Sequence, residues 1–425
     1  MKSYKEPLRG FVVKLKPTEE QIKIFYDYAN ASRFIYNTFL GYQNKAFDNF
    51  KKWSELPNNK DKTAKQYYQE TGLKSYYSSN DLSKLLFKYK DSVSWLSELN
   101  LNTQSLKEPI RDLDQAFQNY FNSCNGTRKG KPVKHPTFKK KFKTAPKFTI
   151  IYSSSTAKPI KDNSLYFPSI GKVNCYQFDS IPRKCKSKYT LKSITVKLDS
   201  DGDWYASFNY VDMILNSDLL PKTGNKCGID FGIKKFITLH DGTNNEIIDL
   251  PRKQLIKLEN KIKVLQSKLS RKLRMAKLQA KQYGLDNFYY SNNMKQLKAK
   301  IAKLHNKIKN VRKNAQHVIS YNLIKTYDTI VIEDLNIAGM LQNRRIAKAV
   351  SRYSWNQFTT FLKYKAELHD KSIVMVDRFF PSSKTCSDCG TINSNLKMQK
   401  TWTCPSCGAN HDRDYNAAIN LYKLA

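Results

Sequence analysis

The sequence predicts an α/β protein of several domains, and three patterns lead there. Residues 252–275 and 294–320 carry apolar side chains at alternating steps of three and four, the seam of paired helices. Residues 148–212 alternate apolar and polar positions with period two, as half-buried strands do. Short apolar runs, Thr329–Ile332 and Ile373–Val376, read as buried strands between helical stretches. A chain of 425 residues has room for two to four domains with sizeable cores.

Taken in order, residues 10–16 form a first strand and Pro17 ends it. Thr18-x-x-Gln21 is a capping box that starts a helix. Ile22, Phe25, Ala29, Tyr36 and Leu40 share one face of that helix. Residues 45–102 are polar, aromatic-rich and helical by composition. A helix follows at about 103–122, with Leu106, Ile110, Leu113, Phe117 and Phe121 on one face. Pro109 is expected to kink it or delay its start. Residues 126–147 are basic: Arg128, Lys129, Lys131, Lys134, Lys139, Lys140, Lys141, Lys143 and Lys147, with Phe138 and Phe142 between them. Such a run is either a solvated face or a nucleic-acid track, and the interleaved aromatics favour the second. Ile194, Val196 and Leu198 pair with Ala206, Phe208 and Tyr210 across the turn Asp199–Asp203. The aspartates of that turn lack the spacing of a calcium loop.

Residues 221–225 read as a linker, and Cys227 to Leu239 as strand, turn and second strand. Leu255, Leu258, Ile262, Leu265 and Leu269 face Leu297, Ile301, Leu304, Ile308 and Val311 in an antiparallel helical hairpin. The connection around Tyr283–Asn287 favours pairing within the chain over a dimeric coiled coil.

Lysine and arginine total 74 against 36 acidic residues, a net charge of +38. Such self-repulsion calls for a polyanion, with nucleic acid ahead of an anionic membrane surface. No apolar run is long enough to span a membrane, and the first residues lack the apolar core of a secretion signal. Of eight cysteines, Cys124, Cys175, Cys185 and Cys227 are scattered and expected to be reduced or buried. The others form Cys386-x2-Cys389 and Cys404-x2-Cys407, the spacing of one tetrahedral zinc site and not of a disulfide framework. His411 follows closely, but four thiolates already complete the set. His317 and His369 are lone histidines with packing or surface roles.

Asp230 follows Gly228 and precedes Gly232 at a predicted strand end; Glu333 ends the run Ile330–Ile332; Asp412 and Asp414 both follow the cysteines. Acids at neighbouring strand ends can share two magnesium ions and activate water. Asp334 points to the other face if its strand continues. Asn416 either orients the third acid or caps the last helix.

The chain resembles TnpB, the OrfB protein of insertion sequences, related to the miniature type V CRISPR effectors. The motifs are Pro381-Ser382-Ser383-Lys384-Thr385-Cys386, Trp402-Thr403-Cys404-Pro405-x-Cys407-Gly408 and Asp412-Arg413-Asp414-x-Asn416-Ala417-Ala418. The resemblance implies a RuvC-like, ribonuclease-H-like nuclease domain with an inserted zinc ribbon, and a β-barrel wedge domain with an inserted helical recognition domain. The implied boundaries are 1–16 (first wedge strand), 17–122 (recognition), 123–220 (wedge), 221–384 (nuclease), 385–408 (zinc ribbon) and 409–425 (last nuclease motif). The family's first helix ends near Arg33–Asn37. Asp230, Glu333 and Asp414 become the catalytic magnesium ligands, and Cys386, Cys389, Cys404 and Cys407 hold one zinc.

The implied activity is RNA-guided cleavage of double-stranded DNA in a prokaryotic cytoplasm, at the nucleoid, with one chain per guide RNA from the transposon end. A short target-adjacent motif would be read by Tyr76, Tyr77, Thr103, Gln104 and Lys107. Lys139, Lys140 and Lys141 would follow phosphates, and Arg344 and Arg345 would meet the scissile strand or act as a lid, the alternative being a solvated loop. The competing readings are a transposase accessory and a guide-dependent DNA-binding regulator without cleavage.

Overall fold

The computed structural model describes all residues except 1–3, 100, 129, 152–159, 162, 177–188, 213 and 398, so Cys185 and Lys129 lie outside it. The chain divides into two compact units, Glu6–Met213 and Ile214–Ala425, with Met1–Lys5 joined to the second. The break falls several residues before the expected 220/221. Two short strands explain the shift: β1 (Tyr4–Lys5) pairs antiparallel with the first segment beyond the break, Ile214–Leu215.

In the Glu6–Met213 unit, β2 (Leu8–Lys16) leads into α1 (Glu19–Ser54). Thr18 and Gln21 form the expected reciprocal cap. Phe25, Ala29, Tyr36 and Leu40 are buried as their spacing requires. The helix does not end near residue 37. Its apolar stripe continues through Phe39 and Ala46, and the single breaker, Gly41, is tolerated at a cost of about 1 kcal/mol. Three shorter helices follow: α2 (Ala64–Thr71), α3 (Ser79–Ser92) and α4 (Ser94–Glu98). Next is α5 (Thr103–Cys124), whose start Asn102 caps by accepting from the Ser105 N–H at 3.1 Å. Pro109 does not delay α5. It lies inside the helix and is buried with Leu106, Ile110 and Leu113, so packing offsets the hydrogen bond it cannot donate.

The strands of this unit are β3 (Lys147–Ile151), β4 (Ile160–Lys161), β5 (Ser164–Phe167), β6 (Gly171–Cys175), β7 (Tyr189–Leu198) and β8 (Trp204–Asp212). They pair antiparallel in the order β3-β7-β8-β2-β6-β5-β4. The expected barrel is therefore, among the described residues, a seven-stranded sheet with β3 and β4 at its margins. The β7–β8 hairpin pairs Leu198 with Trp204 as its alternation demands. Its aspartates serve the turn: Asp201 accepts from the Asp203 N–H and the Tyr205 hydroxyl, and Asp203 pairs with Lys14 at 2.6 Å. Phe25 of α1 meets Trp204 at 5.1 Å and Phe148 at 5.6 Å, and Tyr28 stacks on Phe148 at 4.9 Å.

The second unit begins with β9 (Ile214–Leu215) and holds a five-stranded sheet. Its strands are β10 (Lys226–Asp230), β11 (Ile237–His240), β12 (Asn245–Ile248), β13 (Thr329–Glu333) and β14 (Ser372–Val376), in the order β12-β11-β10-β13-β14. The first three are antiparallel, whereas β13 runs parallel to both β10 and β14. The crossover from β12 to β13 is the predicted helical hairpin, α6 (Arg252–Gln282) and α7 (Asn292–Thr326). Then come α8 (Ile337–Gln342), α9 (Ala347–Tyr353) and α10 (Trp355–Leu368). β14 was expected to be a buried strand. It is the edge of the sheet, and its exposure alternates.

Cys227, Ile229, Ile330 and Ile332 face one core with Leu323 of α7 and Phe358 of α10. Val331 faces the opposite side and packs on Leu421 of the last helix, α11 (Arg413–Tyr422). A small ribbon with β15 (Thr401–Thr403) and β16 (Asn410–Asp412) precedes α11 and has its own core of Leu396, Trp402, Cys386 and Cys404.

Candidate active site and metal centre

Strand periodicity sets which side each acid takes. Gly228 pairs with Val331, and Ile229 with Ile332, in a parallel register. Asp230 and Glu333, one step on, share the face of Gly228 and Val331, which is the face that α11 covers. Gly228 makes this approach possible. A Cβ there would lie 2.2 Å from the Tyr422 nitrogen and 2.3 Å from the Ala418 oxygen. Gly232 allows the reversal after Asp230, since a Cβ there would lie 2.9 Å from the Lys235 oxygen. Asp414 stands in the first turn of α11, while Asp412 caps that helix by accepting from the Asp414 and Tyr415 N–H groups at 3.0 and 3.4 Å.

The electrostatics fit a cluster of carboxylates. Burial, then the charges of Glu333 and Asp414, push the Asp230 carboxyl well above the usual carboxylate range. Burial also raises Glu333, against a hydrogen bond from Ser382 and the charge of Arg413. Asp414 is raised by burial and by Asp412. The charge of Arg413 opposes the rise at all three acids, a role that motif reading did not assign. Asp334 takes no part: it is exposed and pairs with Arg378 at 2.8 Å.

The four paired cysteines converge, their sulfurs all within 4.8 Å of one another. Cys386 and Cys407 are 3.6 Å apart, as are Cys389 and Cys404. Four sulfurs about 2.3 Å from a tetrahedral zinc would be spaced by about 3.8 Å, so the donor set fits that ion. His411 is buried, 3.1 Å from the Cys386 sulfur through Nε2 and 4.9 Å from the Trp402 ring, a partner of the cluster and not a fifth member. Asn416 neither caps α11 nor turns toward Asp414. Its amide accepts from the Ser387 N–H at 2.8 Å and donates to the Thr385 carbonyl at 2.7 Å, tying the first cysteine knuckle to α11. Asn420 donates to the same Thr385 carbonyl. Among the scattered cysteines, Cys175 and Cys227 are buried and Cys124 is exposed. His317 stacks on Phe361 at 3.9 Å, and His369 accepts from the Leu220 N–H.

The residues expected to contact nucleic acid sort by exposure. Gln104, Lys140, Lys141, Arg344 and Arg345 are exposed, and Thr103 is half-buried. Lys107 lies over the Phe87 ring at 4.9 Å. Tyr76 has packing partners: its ring packs among Phe47, Phe117 and Phe121, and its hydroxyl donates to Asp114 at 2.5 Å. The Tyr77 backbone is held by Gln43. Lys139 is half-buried with its ammonium 3.5 Å over the Tyr36 ring, and burial pulls it down to about 8. No described helix is long and apolar enough to cross a membrane.

Three family models match: "Helix-turn-helix domain" of OrfB/IS605 over residues 7–52, "Probable transposase" over 214–344, and "Cas12f1-like, TNB domain" over 355–421. Over these three stretches the chain is similar to proteins of the TnpB (OrfB) type. The second match starts at the unit break and holds Asp230 and Glu333; the third holds the cysteines and Asp414. Residues 7–52 form one strand and one long helix here, without the helix-turn-helix of the description.

A "Putative RNA-guided DNA endonuclease" of Streptomyces pristinaespiralis is 28% identical over 417 residues, covering 97% of this chain and 88% of the relative. "Putative RNA-guided DNA endonuclease InsQ" of Escherichia coli K12 is 25% identical over 435 residues, with 97% and 91% covered. A solved Cas12f1–sgRNA–target DNA complex aligns with a TM-score of 0.47 at 13% identity, covering 98% and 99% of the two chains.

Proposed function

We propose that this protein is an RNA-guided endonuclease that cuts double-stranded DNA. The observation that carries the reading is the assembly of Asp230, Glu333 and Asp414 around one face of the five-stranded sheet. The strand order, three antiparallel strands followed by two parallel ones, supports a ribonuclease-H-like, RuvC-type domain. The names of the relatives support a guided nuclease.

The three carboxylates are hard oxygen donors brought together with Arg413 as the nearby counter-charge, a set suited to magnesium. Two magnesium ions bound there would activate water and stabilise the leaving oxygen of a phosphodiester. Asp230 and Glu333 are delivered by rigid strand ends and Asp414 by a capped helix start, so the donors are held in place before substrate arrives. The four cysteines hold zinc, which keeps the ribbon folded against α11.

The excess of basic residues holds the guide RNA, which comes from the transposon end. Base pairing reads the target. Gln104, Thr103, Lys107 and Tyr77 read the adjacent motif; Lys140 and Lys141 follow phosphates; Arg344 and Arg345 meet the scissile strand. The site of action is the DNA of a prokaryotic cell, with one chain per guide.

The description "Probable transposase" favours a second reading, strand transfer during DNA recombination. One experiment separates them. Protein purified with its own RNA is given duplex DNA matching that RNA, with and without EDTA. The expected result is a matched duplex cut at both strands, no joining product, and no cut after ribonuclease treatment. Cleavage at a fixed sequence without RNA, or joined products, would overturn the guided mechanism.

A further inference from the structure

Glu333 is held by more than its own strand. The Ser382 hydroxyl donates to Glu333 Oε1. Ser382 is 5% exposed and lies where the chain leaves β14 for the first cysteine knuckle. Its carbonyl accepts from the Asn420 amide at 2.8 Å and from Asn416 at 3.4 Å. The Thr385 carbonyl accepts from both amides at 2.7 Å, and Asn416 returns an acceptor to the Ser387 N–H. One buried network therefore joins Glu333, the knuckle that begins at Cys386, and α11, which carries Asp414.

A carboxylate on a strand end can rotate about its side-chain bonds, and a metal ligand that rotates binds poorly. A hydroxyl that engages one oxygen fixes the rotamer and leaves the other oxygen available. Here the hydroxyl is itself fixed, because its own backbone is clamped by two asparagine amides. We infer that Ser382 is a positioning residue for Glu333, and that it makes the geometry of this acid depend on the folded, metal-loaded knuckle. The inference rests on the nuclease reading above and deepens it. The ribbon reaches the acid site along two routes, through Asp414 on α11 and through Ser382 on Glu333.

The test uses the purified protein–RNA complex without DNA, titrated with Mn2+ and followed by electron paramagnetic resonance. The Asp230→Ala complex supplies the background of ions held by RNA phosphates. Zinc content, melting temperature and the magnesium dependence of cleavage are measured alongside. Ser382→Ala is expected to weaken the Asp230-dependent Mn2+ binding by roughly 10–100-fold and to raise the magnesium needed for half-maximal cleavage similarly, with zinc content unchanged. Ser382→Thr, which keeps the hydroxyl, is expected to restore most of both. If Ser382→Ala melts early, Ser382→Thr decides. A folded threonine variant that binds Mn2+ no better than the alanine variant overturns the inference. So does unchanged Mn2+ affinity in Ser382→Ala. If Asp230→Ala itself leaves Mn2+ binding unaltered, the nuclease reading fails and takes this inference with it.

Discussion

The second unit gathers two sets of acidic side chains, four thiols and three carboxyls, and they assemble differently. The four cysteine sulfurs lie within 4.8 Å of each other; among the described residues no group of acids converges so closely. Thiols can pack together while protonated, because a neutral S–H behaves as a small apolar group. Carboxylates repel, and burial adds to the cost, so Asp230, Glu333 and Asp414 are all pushed toward protonation and take Arg413 as a neighbour. The ribbon is organised by local chain geometry, two knuckles that bring four sulfurs together. The acid site is organised by long-range packing, a parallel register and a helix laid over a glycine.

That contrast can be broken in several places. The largest effect is expected at the acids. Asp230→Ala should slow cleavage by roughly a thousandfold or more, about 4 kcal/mol of barrier. Without divalent metal it should raise the melting temperature, since it removes a buried acid repelled by two others. Cleavage rates and a melt in EDTA check both, and a lower melting temperature would mean the acids are not in conflict.

Cys404→Ser comes next. Zinc should fall well below one per chain by elemental analysis, and cleavage should fall more than tenfold, although no sulfur meets the scissile phosphate. A zinc-free variant with full activity would detach the ribbon from the acid site. Gly228→Ala reverses the logic: it should leave zinc in place but force α11 off β10. The expected loss is about 3 kcal/mol or more by denaturant titration, with cleavage lost as well.

A smaller effect separates neighbours on α11. Asp412→Ala should cost about 1 kcal/mol of stability as a lost cap while retaining cleavage, whereas Asp414→Ala should abolish cutting at little cost in stability. The reverse pattern would reassign the third ligand.

The smallest test asks how burial alone is handled where no ligand is involved. Lys365 is buried, donates to the His317 carbonyl and the Ser320 hydroxyl at 2.7 Å, and is pulled down to about 8 by burial. An unfolded lysine titrates near pH 10.4. Between pH 8 and pH 10 the unfolded chain keeps a proton that the folded one has released, so stability rises with pH across that window. Below pH 8 both states are protonated and the slope vanishes. Lys365→Met should flatten this slope relative to the parent protein, measured by denaturant midpoints from pH 7.5 to 10.

What the sequence revealed follows the same division. The Cys-x2-Cys pairs, the Thr18 capping box and the heptad seams are local patterns, and each was legible residue by residue. The full length of α1 was not, because its continuation past Leu40 depends on packing against α5, as Phe47 does on Phe117 and Phe121. Nor was the unit boundary, since the two-residue pairing of β1 with β9 leaves no periodic trace. That Pro109 does not delay α5 was not legible either, because a propensity rule was overridden by a buried face. The acids were legible as motifs, but their common face, the counter-charge of Arg413 and the Ser382 bond to Glu333 exist only once strands and helix meet. Tyr76 resembled a binding aromatic in sequence, and only its contacts reveal a packed ring bound to Asp114.

α11 also has a consequence for timing during synthesis. It is made after β10, β13 and the ribbon, and it covers the sheet face on which Asp230 and Glu333 stand. While a ribosome is still translating the cysteine knuckles, the groove over Gly228 has no occupant and the third acid does not yet exist. A nascent or prematurely terminated product would thus lack Asp414 and the helix that covers Asp230 and Glu333. The order of elements along the chain means that the three carboxylates of the proposed site come together only when translation has passed Tyr422.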